Sequence, residues 1–379
     1  METSYVSRER KIQFIIVTTI ISILIVFGLL EVLIRATIPK SDIYELTGRI
    51  TVKNPISDWA LTDAFCAYRA KPGKSKGITV NSNGFIATPE ISVDKPAGTI
   101  RIVFIGESST SGYAGYLKDS ETWPWQMVEM LRKKTSQKID FINAALVGYT
   151  SFESIGRLWS RVRQFKPDIV ICNHGWNEMY YFTEKAENIE NWRTLKSGNW
   201  SVTEMDNPIA IYYPHWIDPG IRWSQLLTYF RLKVSKHKEG EISSNSNNMV
   251  LKPDFNHKGI PIWRDNLKML KAVCGIMGAK LFVCRQATMV VPNLSPEEQK
   301  KCRYEYHGFN NEAHLRAFQE IYKVIDEEMP ADEIIDVTSL SGRRDLFFDH
   351  IHPTANGCKE VAKIVSVPVA NYISKNFPK

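Results

Sequence analysis

A serine and an Asp–His pair are the residues whose types and spacing best fit nucleophilic chemistry. Ser108 lies in the segment GESST, directly after the apolar run 100–105. A serine on a strand-to-helix turn exposes its hydroxyl, although such a turn is most often only a turn. Asp349 and His352 are three residues apart, a spacing that can place both side chains on the same side of a helical turn. The carboxylate can then orient the imidazole, whose other nitrogen can deprotonate a serine.

Two further segments have residues that could act on a substrate carbonyl. Gly148, in the segment NAALVG, lets the backbone approach a substrate closely, with a plain helix-entry turn as the alternative. Asn177, in the segment NHGWNE, carries an amide that can donate to a developing oxyanion. His174 in the same segment could be catalytic, but a surface or packed histidine is the favoured interpretation. Glu178 could be an acid or base, but the sequence shows no partner carboxylate.

Alternating strand and helix signals predict the elements that position these segments. Compact apolar runs predict strands at 100–105, 139–145, 168–172, 280–284 and 333–337. Amphipathic stretches predict helices at 123–134, 152–165, 263–277, 313–328 and 355–373. This alternation indicates an α/β protein with a parallel sheet covered on both faces, whose ligands bind beyond the carboxyl ends of the strands.

An apolar run at residues 12–34 contains one charged residue, Glu31. About 20 apolar residues cross a bilayer as a helix, so the run predicts a transmembrane anchor. A buried core helix and a cleaved signal peptide are the alternatives; the run is long for the latter and no small-x-small cleavage site follows. The basic cluster Arg8, Arg10 and Lys11 favours a cytoplasmic N-terminus, although the charges after the span nearly balance it. The remainder would then lie outside the cytoplasm, in the periplasm or at the cell surface.

The chain is predicted to have four parts: a tail (1–11), the anchor (12–34), a linker with an N-terminal extension (35–98) and an α/β domain (99–379). Residues 180–258 interrupt the strand–helix alternation and predict an insertion. Its aromatic residues could form a carbohydrate-stacking or membrane-facing surface, or equally well a packed subdomain core. They are Trp192, Trp200, Tyr212, Tyr213, Trp216 and Trp223. The polar run 236–248 predicts a mobile loop.

Composition excludes several classes of protein. The 379 residues are 44% hydrophobic and 23% charged, which excludes wholesale disorder, collagen-like repeats and a polytopic membrane protein. The net charge of +7 is scattered, so we expect no nucleic-acid partner. The six cysteines form no CxxC, and buried free thiols or disulfides are both open. His350 and His352 lack the i, i+4 spacing of zinc-binding helices, so we expect no metal and no other cofactor.

The order of these motifs resembles that of the SGNH hydrolase superfamily, the GDSL-type esterases and lipases. The resemblance covers about residues 98–375, without the insertion. It implies a three-layer α/β/α, flavodoxin-like SGNH fold with a central five-stranded parallel sheet. The segment VNSNGF at 80–85 and the anchor ending Glu31…Arg35 are also similar to membrane-anchored bacterial members, which are often linked to surface-polysaccharide modification.

The resemblance also implies a role for each matching residue. Ser108 corresponds to the nucleophile, His352 to the general base and Asp349 to its orienting partner. The Ser108 N–H, the Gly148 N–H and the Asn177 side-chain amide correspond to the oxyanion hole.

Three departures from the family pattern concern neighbouring residues. Glu107 replaces the usual aspartate before the nucleophile, and Ser109 adds a second hydroxyl beside it. His174 and Trp176 crowd the Gly-x-Asn segment, which predicts a narrow acyl pocket. His350 matches no catalytic position.

The resulting hypothesis is a membrane-anchored serine esterase that removes an acyl group, expected to be acetyl, from a cell-surface glycan. Its partners are an acylated small molecule or glycan and the lipid bilayer around residues 12–34. One alternative is an O-acyltransferase that passes the same acyl-enzyme to a sugar hydroxyl. Others are a non-catalytic glycan-binding or assembly protein with this fold, and a lipase or thioesterase of membrane acyl chains.

Overall fold

The computed structural model describes residues 7–37, 60–75, 77–112, 116–183, 224–230 and 250–378. The six aromatic residues of the insertion named above and the whole of the polar run 236–248 lie outside the described residues.

A five-stranded parallel sheet forms the centre of the molecule. The strands in chain order are β1 (Ala60–Asp63), β2 (Ala67–Ala70), β3 (Gly73–Ser75), β4 (Ile78–Val80), β5 (Thr99–Gly106), β6 (Lys138–Asn143), β7 (Ile169–Asn173), β8 (Lys280–Arg285) and β9 (Ile334–Asp336). In the central sheet, strands lie in the order β6-β5-β7-β8-β9, and every neighbouring pair is parallel. This is the flavodoxin-like order 2-1-3-4-5, so the predicted fold class is confirmed.

Helices cover both faces of this sheet. In chain order they are α1 (Arg8–Thr37), α2 (Ser108–Ser111), α3 (Trp123–Thr135), α4 (Ser151–Arg157), α5 (225–230), α6 (Gly259–Met277), α7 (Pro296–Gln299), α8 (Asn311–Glu328) and α9 (Ala355–Asn376). Helices α3 and α9 pack together, and α6 packs against α4 and α8. Because both faces are covered, every residue of β7 and all but the first of β5 are buried, as their continuous apolar sequences predict.

The helix predicted at 152–165 is only partly α-helical. After α4 ends at Arg157, the chain continues as a π-helical turn (Leu158–Val162) and a 3₁₀ turn (Arg163–Phe165). Leu158, Val162 and Phe165 remain buried, so the change of helical pitch keeps the apolar residues facing the core.

Part of the segment predicted as a linker packs into the core of the α/β domain. Strands β1 and β2 form one antiparallel hairpin, and β3 and β4 form another. Tyr68 and Phe85 are buried, and the Ile86 N–H donates to the carbonyl of Asn143 at the end of β6. Residues 60–98 therefore contact the strand ends at which the predicted site lies.

Helix α1 is long and apolar enough to cross a membrane, and none of its residues is buried within the described chain. It contains the whole of the predicted anchor, residues 12–34. The six cysteines are free and buried, so the free-thiol alternative describes them in this structure.

Candidate active site

Ser108, His352 and Asp349 form a continuous chain of hydrogen bonds. Ser108 is the first residue of α2, directly beyond β5, and its Oγ lies 2.7 Å from His352 Nε2. His352 Nδ1 lies 2.7 Å from Asp349 Oδ2. An ionised carboxylate can only accept, so the imidazole donates from Nδ1 and its Nε2 accepts the serine O–H. This is the arrangement that a histidine base needs to deprotonate a serine.

The loop around Asp349 fixes the orientation of the imidazole without forming a helical turn. The chain bends here and does not form the helical turn that the spacing allows, and Asp349 Oδ1 accepts from the backbone N–H groups of Ile351 and His352, both at 2.9 Å. The Phe348 N–H donates to the His352 carbonyl at 2.8 Å and closes the loop. Burial raises the pKa of Asp349, but hydrogen bonds from His352 and Ile351 outweigh burial and hold that pKa below its usual value.

Ser109, the second hydroxyl of the motif, is directed elsewhere. Its side chain is buried, and its Oγ accepts from Gln286 Nε2 at 2.9 Å. Its carbonyl accepts from the indole N–H of Trp123 at 3.2 Å. The structure therefore places Ser108, and not Ser109, against the histidine.

The backbone around Gly148 lies against the turn that carries Ser108. The Leu146 N–H donates to the Gly106 carbonyl at 3.2 Å, which joins the loop after β6 to the end of β5. Gly148 has a φ of +78°, a conformation that favours glycine. Within the described residues, neither the Ser108 N–H nor the Gly148 N–H donates to another group. Both N–H groups are thus available to bind an oxyanion.

Asn177 is held in place from two sides. Its side-chain Nδ2 donates to the Tyr149 carbonyl at 2.9 Å, and its backbone N–H donates to Glu107 Oε2 at 2.7 Å. One amide hydrogen is used by Tyr149, which leaves the other for a ligand. The structure thus links Asn177 to the loop of Gly148 and to the residue before Ser108.

Glu107 and Gln286 form a buried polar pair beside the turn that carries Ser108. Gln286 Nε2 donates to Glu107 Oε1, and Gln286 Oε1 accepts from the Trp176 N–H at 2.8 Å. The side chain of Glu107 is 1% exposed, and burial raises its pKa to about 7 despite hydrogen bonds from Gln286 and Asn177. This pair ties the turn after β5 to the Gly-x-Asn segment after β7.

Two glycines permit this close packing. At Gly106, where φ is +156°, a Cβ would lie 2.5 Å from the Asn173 carbonyl oxygen and 2.6 Å from Thr110 Oγ1. At Gly175, a Cβ would lie 2.5 Å from Gln286 Oε1. A side chain at either position would displace the segments that meet here.

The other polar residues of the Gly-x-Asn segment are structural in this arrangement. His174 is fully buried beside Ser154 Oγ, 2.9 Å from its Nε2, and burial lowers its pKa to about 3. Glu178 is buried and accepts from the N–H and hydroxyl of Ser151, at the start of α4. Trp176 is 2% exposed, and the narrow acyl pocket expected from His174 and Trp176 stays a prediction.

His350 packs against Trp176, with ring centroids 4.1 Å apart, and its Nδ1 lies 3.8 Å from Asp349 Oδ1. Burial lowers its pKa to about 3. Among the residues that the structure describes, no three histidine, cysteine, aspartate or glutamate side chains are grouped as metal ligands.

Sequence reasoning missed two residues that support the site. Gln286 directly follows β8, and a polar residue just beyond a predicted strand was the available signal. Tyr68 lies in the predicted linker, where its hydroxyl donates to the Val147 carbonyl, and no sequence pattern connected it to Gly148.

The fold and the site together define a doubly wound α/β protein with a hydrogen-bonded Ser–His–Asp chain at the carboxyl end of its sheet. No known family profile and no curated protein matches the sequence. Several solved structures are similar in part. An acetyl xylan esterase from Geobacillus stearothermophilus is 12% identical, over 71% of this chain and 94% of that one, with a TM-score of 0.39.

Two further structures give the same level of similarity. The acetyl xylan esterase AlAXEase is 15% identical over 70% of this chain and 98% of that one, with a TM-score of 0.40. A lipase/acylhydrolase from Enterococcus faecalis is 13% identical over 72% of this chain and 96% of that one, also with a TM-score of 0.40. Likeness at this level assigns no activity to the chain.

Proposed function

We propose that this protein is a membrane-anchored serine esterase of the SGNH hydrolase superfamily. The observation that carries the proposal is the pair of 2.7 Å contacts that His352 makes, through Nε2 to Ser108 and through Nδ1 to Asp349. Both ring nitrogens are engaged by the groups that a base for a serine nucleophile requires.

The proposed reaction proceeds in two steps. Ser108 Oγ attacks the ester carbonyl carbon while His352 Nε2 takes the hydroxyl proton, and Asp349 stays ionised beside the imidazolium. The carbonyl oxygen becomes an oxyanion that accepts from the Ser108 and Gly148 N–H groups and the Asn177 amide. His352 returns its proton to the leaving alcohol as the tetrahedral intermediate collapses. Water, deprotonated by His352, then hydrolyses the acyl-enzyme and regenerates the Ser108 hydroxyl.

The proposed substrate is a small acyl ester, acetyl in particular, on a cell-surface glycan. This choice follows from the motif resemblance and from the predicted topology, in which the α/β domain lies outside the cytoplasm and is held there by residues 12–34. A tethered enzyme in that place meets surface polysaccharides directly. Apart from the water of the second step, every group in the proposed reaction belongs to the chain or to the substrate.

Active-site labelling of the full chain in detergent tests the proposal. A fluorophosphonate probe should label the wild type, and p-nitrophenyl acetate should be hydrolysed. Ser108→Ala should abolish labelling and lower kcat by about 10⁴-fold or more, because it removes the nucleophile. Ser109→Ala is the matched control, since its hydroxyl bonds Gln286 and not His352. Labelling that persists in Ser108→Ala, or that is lost only in Ser109→Ala, would refute the proposed nucleophile.

A further inference from the structure

The carboxylate of Glu31, the one charged residue of the predicted anchor, accepts several hydrogen bonds. It accepts from Arg35 Nε at 2.7 Å, one turn along α1. It also accepts from the Ser224 hydroxyl at 2.8 Å, the Gln225 N–H at 2.8 Å and the Leu226 N–H at 2.9 Å. The Glu31 side chain is only 16% exposed as a result. A segment nearly 200 residues away in sequence thus surrounds this charge.

The same contacts complete the first turn of α5. The N–H groups at the start of any helix lack partners within that helix. Here Glu31 takes those of Gln225 and Leu226, and Ser224 Oγ accepts the Leu227 N–H at 3.1 Å. In a bilayer, where water cannot satisfy such groups, each unpaired one costs several kcal/mol. The hydrogen bonds therefore lower the free-energy cost of placing both the carboxylate and the first N–H groups of α5 in an apolar medium.

Beyond Glu31, the two helices face each other with apolar side chains. Leu226, Leu227 and Phe230 on α5 and residues between Thr18 and Leu30 on α1 line a groove of about 580 Å³. Helix α5 starts at Glu31, and the groove that it lines extends back along α1 to Thr18, so α5 leads from Glu31 towards the N-terminal part of α1. Residues 224–230 contain no charged side chain. Phe230 is 53% exposed, and α1 also exposes apolar side chains.

We propose that α5 lies inside the lipid bilayer beside α1, so that the protein is held in the membrane by two segments joined through Glu31. The proposal rests on α1 being the membrane anchor. The direction of α5 supports it, because a helix that starts at Glu31 and follows α1 towards Thr18 runs into the span and not away from it. The six described residues of α5 rise about 9 Å, which is less than the ~30 Å thickness of the hydrocarbon core of a bilayer. Lipid acyl chains contact the exposed face of α5.

Two points of attachment restrict how the α/β domain lies on the membrane. The insertion that carries α5 leaves the domain after the 3₁₀ segment Asn177–Phe182 and rejoins it before α6. A second contact with the bilayer, through α5, constrains the orientation of the domain in a way that α1 alone does not.

Depth-dependent fluorescence quenching of the full chain tests the proposal. Phe230→Cys carries an environment-sensitive fluorophore, and the protein is reconstituted in mixed phosphatidylcholine–phosphatidylglycerol vesicles. The native cysteines are buried, and the unsubstituted chain provides the labelling blank. We expect nitroxide-labelled lipid to quench the probe and aqueous iodide to leave it unquenched. When Phe230→Cys is combined with Glu31→Leu, iodide should quench the probe and the nitroxide lipid should not. We expect this even though Glu31→Leu makes α1 more apolar.

Glu9→Leu is the matched control, because it removes a carboxylate from the other end of α1 and should keep the original quenching pattern. Glu31→Gln retains an acceptor oxygen and should keep part of the lipid quenching. Extraction with alkaline carbonate separates the premises. A chain that stays in the vesicles while iodide reaches the probe overturns only the placement of α5. A chain released by carbonate overturns the anchor and the placement together, and neither result affects the Ser108 labelling assay.

Discussion

At the scale of single residues, the direction of each hydrogen bond decides what a group in the site can do. Asp349 accepts from two backbone N–H groups and from His352, so its pKa is held low and it remains an acceptor. His352 must then donate from Nδ1 and accept at Nε2, which is the form that can receive a proton from Ser108. Ser109, one residue away, meets the Gln286 amide and cannot take this role.

Gln286 is predicted to be a positioning residue for the nucleophile turn. Gln286→Leu removes the donor to Glu107 and Ser109 and the acceptor for the Trp176 N–H, at nearly constant volume. The buried carboxylate of Glu107 loses a partner, and the turn shifts. Because displacements of about 1 Å can cost 10²-fold, we expect kcat to fall about 10- to 100-fold with little change in KM. Steady-state hydrolysis of p-nitrophenyl acetate measures both constants.

The matched control for this variant is Gln164→Leu, since Gln164 is exposed and bonds only a carbonyl within its own helical turn. It should retain wild-type kcat. An increase in KM with unchanged kcat in Gln286→Leu would contradict a positioning role, and so would wild-type kinetics.

At the scale of elements, loops that follow neighbouring parallel strands meet at one edge of the sheet. The turn after β5, the loop after β6 and the segment after β7 are joined there by hydrogen bonds. The hairpin of β1 and β2 supports them from outside, because the Tyr68 hydroxyl donates to the Val147 carbonyl and the Tyr149 hydroxyl donates to the Tyr68 carbonyl. These two bonds fix the backbone on either side of Gly148.

Tyr68→Phe is therefore predicted to weaken the oxyanion site while retaining the buried ring. Loss of one such hydrogen bond costs about 1 kcal/mol, and the carbonyl of Val147 is then free to rotate with the Gly148 N–H. We expect kcat/KM to fall about 5- to 10-fold. Tyr372→Phe on α9 removes a hydroxyl elsewhere and should leave kcat/KM unchanged. Equal effects of the two substitutions on kcat/KM would show that Tyr68 has no special part in the site.

At the scale of the whole molecule, four neutral histidines are buried in one fold. Burial lowers the pKa of His174 and of His350 to about 3 and that of His314 to about 4. The pKa of His307 is also lowered by burial and by the neighbouring His314. The unfolded chain binds protons on these side chains below pH 6.5, whereas the folded chain does not. Their shared effect is a loss of stability as the pH falls.

We predict that the free energy of unfolding decreases between pH 6.5 and pH 4, the interval in which only the unfolded chain protonates these imidazoles. Glu107 acts in the opposite direction, because its pKa is raised to about 7 and the folded chain binds that proton first. The effect of this one carboxyl is smaller than that of the four imidazoles, so the free energy of unfolding still decreases as the pH falls. Denaturant unfolding in detergent at several pH values measures the slope.

His350→Phe should reduce this slope by about one proton, or ~1.4 kcal/mol per pH unit. Phenylalanine keeps a ring against Trp176 and cannot titrate. His257→Gln is the matched control, since His257 is exposed in the folded chain, and it should leave the slope as in the wild type. A slope that is identical in His350→Phe and wild type would show that His350 does not contribute to acid lability.

The sequence by itself determined the sheet and the order of the motifs along it. A strand that is buried on both faces needs a continuous apolar run, and such a run is a local feature of the sequence. All five central strands were therefore predicted close to their observed bounds. The motifs followed because ligands of such sheets bind where strands end, which placed Ser108, Gly148, Asn177 and Asp349–His352 at one edge.

Only the tertiary structure decided which neighbours these residues have. The choice between Ser108 and Ser109, the support from Gln286 and Tyr68 and the partner of Glu31 all depend on hydrogen bonds between residues that are far apart in sequence. Such bonds leave no periodic pattern, because a single polar side chain satisfies them. The loop at Asp349 shows the same limit at short range, since a spacing of three fits either a helical turn or a carboxylate that caps two N–H groups.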